Sequence, residues 1–205
     1  YSRVLVFALL ALSLTVLTGW TGQLSLGQVA FLGLGAMTTY TLVVEVGLAF
    51  PGALLLAAAV TTLVAMLVGT PALRMTGLFL AVTTLALAVA APWLLSRPIF
   101  AEDPSLILLP RQQWLGSSLA SQRAYYYACL GVLALAIVAM ARIRRSGLGR
   151  TMLAVRDNEQ SAAALGLSPV RTKLVAFGIS GFLAGLAGGL FGGLLVSYEP
   201  GRFLV

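Results

Sequence analysis

Residues Arg142–Lys173 read RIRRSGLGRTMLAVRDNEQSAAALGLSPVRTK, a polar island between two apolar runs of membrane length. Seven of the chain's 13 lysines and arginines fall in it: Arg142, Arg144, Arg145, Arg150, Arg156, Arg171 and Lys173. Against Asp157 and Glu159 they leave a net charge of +5. Short loops this basic stay on the cytoplasmic side of a membrane. The island therefore orients the chain.

Composition points the same way. Of the 205 residues 60% are hydrophobic and 9% charged, and the mean hydropathy is +0.99. A soluble domain cannot hide that much apolar surface, whereas membrane helices display it to lipid. About six apolar segments can be drawn, near Val4–Thr18, Leu24–Val44, Pro51–Val68, Leu78–Leu95, Tyr125–Ala141 and Leu174–Val196. The expected fold is an all-α polytopic transmembrane bundle, a single domain over 1–205, with a cytoplasmic loop at 142–173. The longest irregular stretch, 96–123, then faces outside. Its three arginines (Arg97, Arg111, Arg123) against Glu102 and Asp103 give only +1. Arg74 falls on the cytoplasmic side. The uncharged break Gly19–Gln23 is either a cytoplasmic turn or the gap of a discontinuous helix buried in the protein. The chain opens on Tyr1 and stops shortly after its last apolar run, and is expected to be a piece of a longer protein.

The net charge of +7 could suggest nucleic acid, but it is concentrated in membrane-flanking loops where topology and lipid headgroups account for it. Histidine is absent, and the lone Cys129 lies in an apolar run and reads as a small buried hydrophobe. These facts exclude disulfides, cysteine-based zinc sites and the usual His-activated nucleophiles. No catalytic or metal residue is expected. No charged residue falls deep inside a span, which argues against a proton-coupled carrier. No G-x-x-x-x-G-K-[ST] phosphate loop occurs, so any ATP hydrolysis belongs to another chain.

Within the island, Gly147 and Gly149 are expected to break the membrane helix. Arg150–Leu165 is rich in helix formers, and Gly166 suits the left-handed position beyond a helix C-terminus. Ser168-Pro169 reads as the cap and first residue of the next helix. This short helix is either incidental to a positive-inside loop or a docking element for a cytoplasmic partner.

Three ordered motifs carry a resemblance. They are Gly149–Glu159 followed by Ala162–Gly166, with Arg171–Leu174 beyond; Gly19–Gln28, with Phe31 and Gly35-Ala36; and Leu73–Leu85. Together they resemble branched-chain amino-acid ABC transporter permeases, more the LivM type than its LivH-type partner. The resemblance implies one permease subunit of an importer in the bacterial cell membrane. It also implies a second, LivH-type permease, cytoplasmic ABC ATPases and an extracytoplasmic solute-binding protein. No cofactor is bound by this chain, since ATP is used by the ATPases. Arg150, Arg156, Asp157, Glu159, Ala162, Ala163 and Gly166 would form the coupling helix that meets the ATPase. The alternative is a channel or secondary carrier without ATPases.

Two other features have double readings. Gln23, Ser25 and Gln28 would line a translocation path, or would bond backbone freed by the glycine break. Gly181, Gly185, Gly189 and Gly193, spaced by four, make a smooth helix face for close packing, either between permeases or, as the favoured reading, within one subunit. Thr38-Thr39, Thr61-Thr62 and Thr83-Thr84 are expected to bond their own helix carbonyls.

Overall fold

The computed structural model describes residues 1–23, 25–72, 78–95, 113–114, 117–118 and 122–195. Lipid offers no hydrogen bonds, so apolar segments must satisfy their backbones internally, and they do so as helices. Helix α1 (Ser2–Leu14) runs on into a π-helical turn, Thr15–Trp20. The others are α2 (Gln28–Val44), α3 (Phe50–Ala72), α4 (Leu78–Leu95), α5 (Gln122–Arg145), α6 (Gly147–Asp157), α7 (Glu159–Ala164) and α8 (Pro169–Leu195). A two-residue antiparallel pairing, β1 (Gln113–Trp114) with β2 (Ser117–Ser118), lies between α4 and α5. Arg74 and most of 96–121 fall outside the described residues. Four described helices are long and apolar enough to cross a membrane: Ser2–Trp20, Phe50–Thr70, Arg123–Arg145 and Pro169–Leu194.

Helix α8 is the axis. Of its membrane stretch 72% is buried, against 22% for α5, which sits at the periphery. Glycine makes this possible by letting neighbouring backbones approach closely. A methyl on Gly181 would meet Ala65 and Thr61 of α3, and one on Gly185 would meet Ala58 and Thr61. Gly188 lies against the Leu32 carbonyl and Ala36 amide of α2. Gly193 lies against the ring of Tyr125, whose hydroxyl donates to the Leu190 carbonyl. The glycine stripe thus packs against helices of its own chain.

The contacts also fix helix directions. Along α8, Gly178, Gly181 and Gly189 meet Met66, Ala65 and Leu54, so α3 runs antiparallel. Ser180 bonds Gln28 and Gly189 faces Thr39, so α2 runs parallel. Phe7 meets Phe191 edge-on at 6.0 Å while Ser13 lies level with Ser180, so α1 runs antiparallel. The C-terminal ends of α1, α3 and α5 and the start of α8 therefore share one end of the bundle, the basic end.

Three expectations need correction. The island helix is not continuous over Arg150–Leu165. It breaks at Asn158, whose backbone is extended (φ −155°, ψ 104°) and whose side chain accepts from the Ser161 amide at 2.9 Å. Asparagine is a strong N-cap, so it starts a second helix more readily than it continues the first. Gly147 and Gly149 do not end the membrane helix. The turn is at Ser146, and both glycines lie in α6, where Gly149 allows α6 to press on the Ile143 and Arg144 carbonyls of α5. The second apolar segment becomes helical only at Gln28.

Other expectations match the structure. Gly166 takes φ +81°, and its amide and that of Leu167 return to the Ala163 and Ala162 carbonyls. The Ser168 carbonyl accepts from the Thr172 amide as α8 begins at Pro169. Thr38, Thr39, Thr61 and Thr62 each donate to the carbonyl four residues back. Cys129 is buried.

Candidate functional site

Two regions carry the residues singled out by sequence, and a single arginine joins them. The first is α6–α7. Helix α6 is amphipathic, with Gly149, Met152 and Val155 buried towards the bundle. Its last turn carries Arg156, whose guanidinium donates to the carbonyl of Gly19 in the π-helical turn. Gly22, at φ +67°, brings its backbone against the Arg156 side chain. Past Asn158, Glu159 accepts a charged bond of 2.6 Å from Lys173 in the first turns of α8. Ala162 faces inward and is buried. These contacts fasten α6 and α7 to the ends of α1 and α8.

The seven candidate coupling residues therefore divide. Arg156 and Glu159, although exposed, bond to their own chain, Ala162 is buried, and Gly166 shapes the turn. Arg150, Asp157 and Ala163 are exposed. Sequence reasoning missed Leu165, which is 81% exposed at the end of α7. Its position beside the capping glycine was the available signal: a large apolar residue at the C-terminus of a two-turn helix has little chance of reaching a core.

The second region is the break after α1. Trp20 ends the π-helical turn at the basic end, and the chain then turns back into the bundle. Thr21, Gln23 and Ser25 are all buried. Helix α2 begins at Gln28, level with Ser13 and Ser180, both well inside their helices. The break is thus a turn at the basic end followed by a buried, non-helical return. Irregular backbone at this depth needs partners from the protein. The Gln23 amide donates to the Leu17 carbonyl at 3.0 Å, and the Leu26 amide donates to Thr84 Oγ1 of α4 at 3.0 Å.

The three candidate path residues separate here. Gln28 sits in a closed polar ring. Its Oε1 accepts from Ser13 Oγ (3.1 Å), its Nε2 donates to Ser180 Oγ (3.0 Å), and Ser180 Oγ donates to the Ser13 carbonyl (3.0 Å). The ring ties α1, α2 and α8 together. Gln23 Oε1 and Ser25 Oγ, in contrast, are buried without a hydrogen-bond partner. Unpaired polar atoms of this kind cost about 1–3 kcal/mol each unless something supplies the bond.

Gln28→Leu should therefore act first on stability. It removes two of the ring's three bonds, and such bonds between membrane helices are worth about 0.6–2 kcal/mol each. The expected result is a lower Tm of the detergent-solubilised protein, read by static light scattering. An unchanged Tm with transport lost would place Gln28 in the path instead.

The family described as the branched-chain amino acid transport system permease component matches residues 1–204. The chain belongs to this family. It is 32% identical to the high-affinity branched-chain amino acid transport system permease protein LivM of Salmonella typhimurium, over 91% of this chain and 50% of that protein. The LivM of Escherichia coli K12 is 31% identical over the same shares. The L-arabinose transport system permease protein AraH of E. coli is 26% identical, over 62% of this chain and 37% of its own length. The chain spans about half the length of the LivM proteins it matches. No solved structure matches it. Family and helices together make this a multi-pass membrane protein of the transport permease type.

Proposed function

We propose that this chain forms part of a permease subunit of an ATP-binding-cassette importer in the bacterial cell membrane, carrying branched-chain or related amino acids. Its partners in this reading are cytoplasmic ATPases, a LivH-type second permease and an extracytoplasmic solute-binding protein. The basic end is cytoplasmic, as its charge requires. The chain performs no covalent chemistry and holds no cofactor; ATP is consumed by the partners.

The observation that carries the proposal is the display of Leu165 and Ala163 on a short helix fastened to two spans. An exposed leucine on a rigid mount is a knob for a cleft. The ties Arg156–Gly19 and Glu159–Lys173 turn displacement of that knob into displacement of α1 and α8. Both helices border the buried return, where Gln23 Oε1 and Ser25 Oγ offer an acceptor and a hydroxyl to a passing zwitterion. Motion at the ATPases would thus reach the groups that meet the cargo.

Leu165→Asp tests this reading in the complete transporter. A carboxylate cannot enter an apolar cleft unpaired, and losing a central anchor typically costs about 2 kcal/mol or more, roughly 30-fold in affinity. Membrane insertion and thermal stability should stay at wild-type levels, because Leu165 touches little of its own chain. Co-purification of the ATPases and uptake of labelled leucine should both collapse. Full uptake by this variant would overturn the docking role and favour a pore that works without ATPases.

A further inference from the structure

Between the ends of α1 and α5 at the basic side lies an open cavity of about 490 Å³. Leu12 of α1 and Met140 of α5 supply apolar walls, Trp20 and Leu153 of α6 line it too, and Arg144 and Arg145 add two guanidinium-bearing side chains. Both arginines are exposed, and neither has a carboxylate: the ion pair among the described residues is Lys173–Glu159. They occupy the last turn of α5, where the span reaches the membrane surface.

An apolar recess lined in part by two unpaired arginines from the last turn of a span suits an amphiphile with an anionic head. Arginine binds phosphate through paired parallel hydrogen bonds. Basic recesses between spans on the cytoplasmic side take acidic lipid headgroups. The volume lies within the range of small-molecule pockets, about 300–1,000 Å³. We propose that this cavity binds an anionic phospholipid of the cytoplasmic leaflet, with its phosphate on Arg144 and Arg145 and an acyl chain along Leu12 and Met140. A neutral lipid would leave the charges unmatched, and free phosphate would leave the slot empty.

The site has a consequence for coupling. Its walls come from α1 with its π-helical turn, from α5 and from α6. Arg156 ties two of these together. A lipid wedged among them braces α6 against the bundle and sets how stiffly the α6–α7 lever is held. This rests on the proposed cytoplasmic placement of the basic end, while lipid binding itself needs no ATPase.

Native mass spectrometry of the complete permease, purified without its ATPases from phosphatidylglycerol-containing membranes, tests the site. Each arginine near the surface is worth about fivefold in affinity for acidic lipid, about 30-fold for the pair. Wild-type protein should retain one phosphatidylglycerol that the R144Q/R145Q variant loses, and the R144K/R145K variant should keep most of it. Equal retention by wild type and the glutamine variant overturns the proposal, as when a protein segment fills the slot. Equal retention of phosphatidylcholine, or release of the lipid by millimolar inorganic phosphate alone, also overturns it, showing a merely apolar groove or a bare anion site. Because retention is read without ATPases, a positive result would survive failure of the docking reading, and a negative result would leave docking intact.

Discussion

Gly188→Val should all but abolish recovery of folded protein. A Cβ at this position would lie inside contact distance of the Leu32 carbonyl and the Ala36 amide of α2. Both are backbone atoms of a neighbouring helix, so no rotamer change relieves the overlap. One helix must move away, and the same helix pair is in closest contact again where Gly35 meets the backbone of Gly185. Separating α2 from α8 also breaks the bond from Gln28 to Ser180. Overpacking typically costs about 1–3 kcal/mol at one site, and here it would spread along the interface. Gly131→Ala is the matched control, since Gly131 is exposed on α5 and a methyl added there would have nothing within 4 Å. Fluorescence-detected size-exclusion chromatography of tagged variants should show the Gly188→Val peak lost and the Gly131→Ala peak kept. A normal Gly188→Val peak would mean that the two helices do not meet as described.

The second large effect is expected at Gly166→Pro. Proline fixes φ near −65°, whereas Gly166 needs +81°. The substitution also removes the amide that bonds the Ala163 carbonyl. The turn after α7 cannot form, so Leu165 loses its mount. Insertion should survive, because α8 starts beyond it at Pro169 and its core contacts are far along the helix. The expected phenotype is a folded, inserted permease that holds the ATPases more weakly, with uptake at background. Normal uptake would show that the geometry of this turn does not matter for coupling.

Much of this was legible in the chain. The apolar segments, the Gly166 turn and the start of α8 at Pro169 all follow from local chemistry. The division of the island helix at Asn158 is hidden because helix formers flank it on both sides. Only its capping bond to Ser161 decides between continuing one helix and starting another. The ring of Ser13, Gln28 and Ser180 could not be read, because its members lie up to 167 residues apart in sequence. For the same reason the link between the island and the Gly19–Gln23 break was invisible until Arg156 and Gly19 were seen together, 137 residues apart. The glycine spacing announced close packing on α8 but not which helix it served. Periodicity describes one helix at a time; partners are chosen in three dimensions.

The docking of α7 on an ATPase is most directly tested by crosslinking. Ala163→Cys places a thiol on the exposed face of α7, while the native Cys129 is buried in α5 and out of reach. With a single cysteine in the facing cleft of a co-expressed ATPase, mild oxidation should yield a permease–ATPase disulfide whose yield changes between nucleotide-free and ATP-bound states. No crosslink at Ala163 from any cleft position, in a transporter that still imports its cargo, would contradict the account.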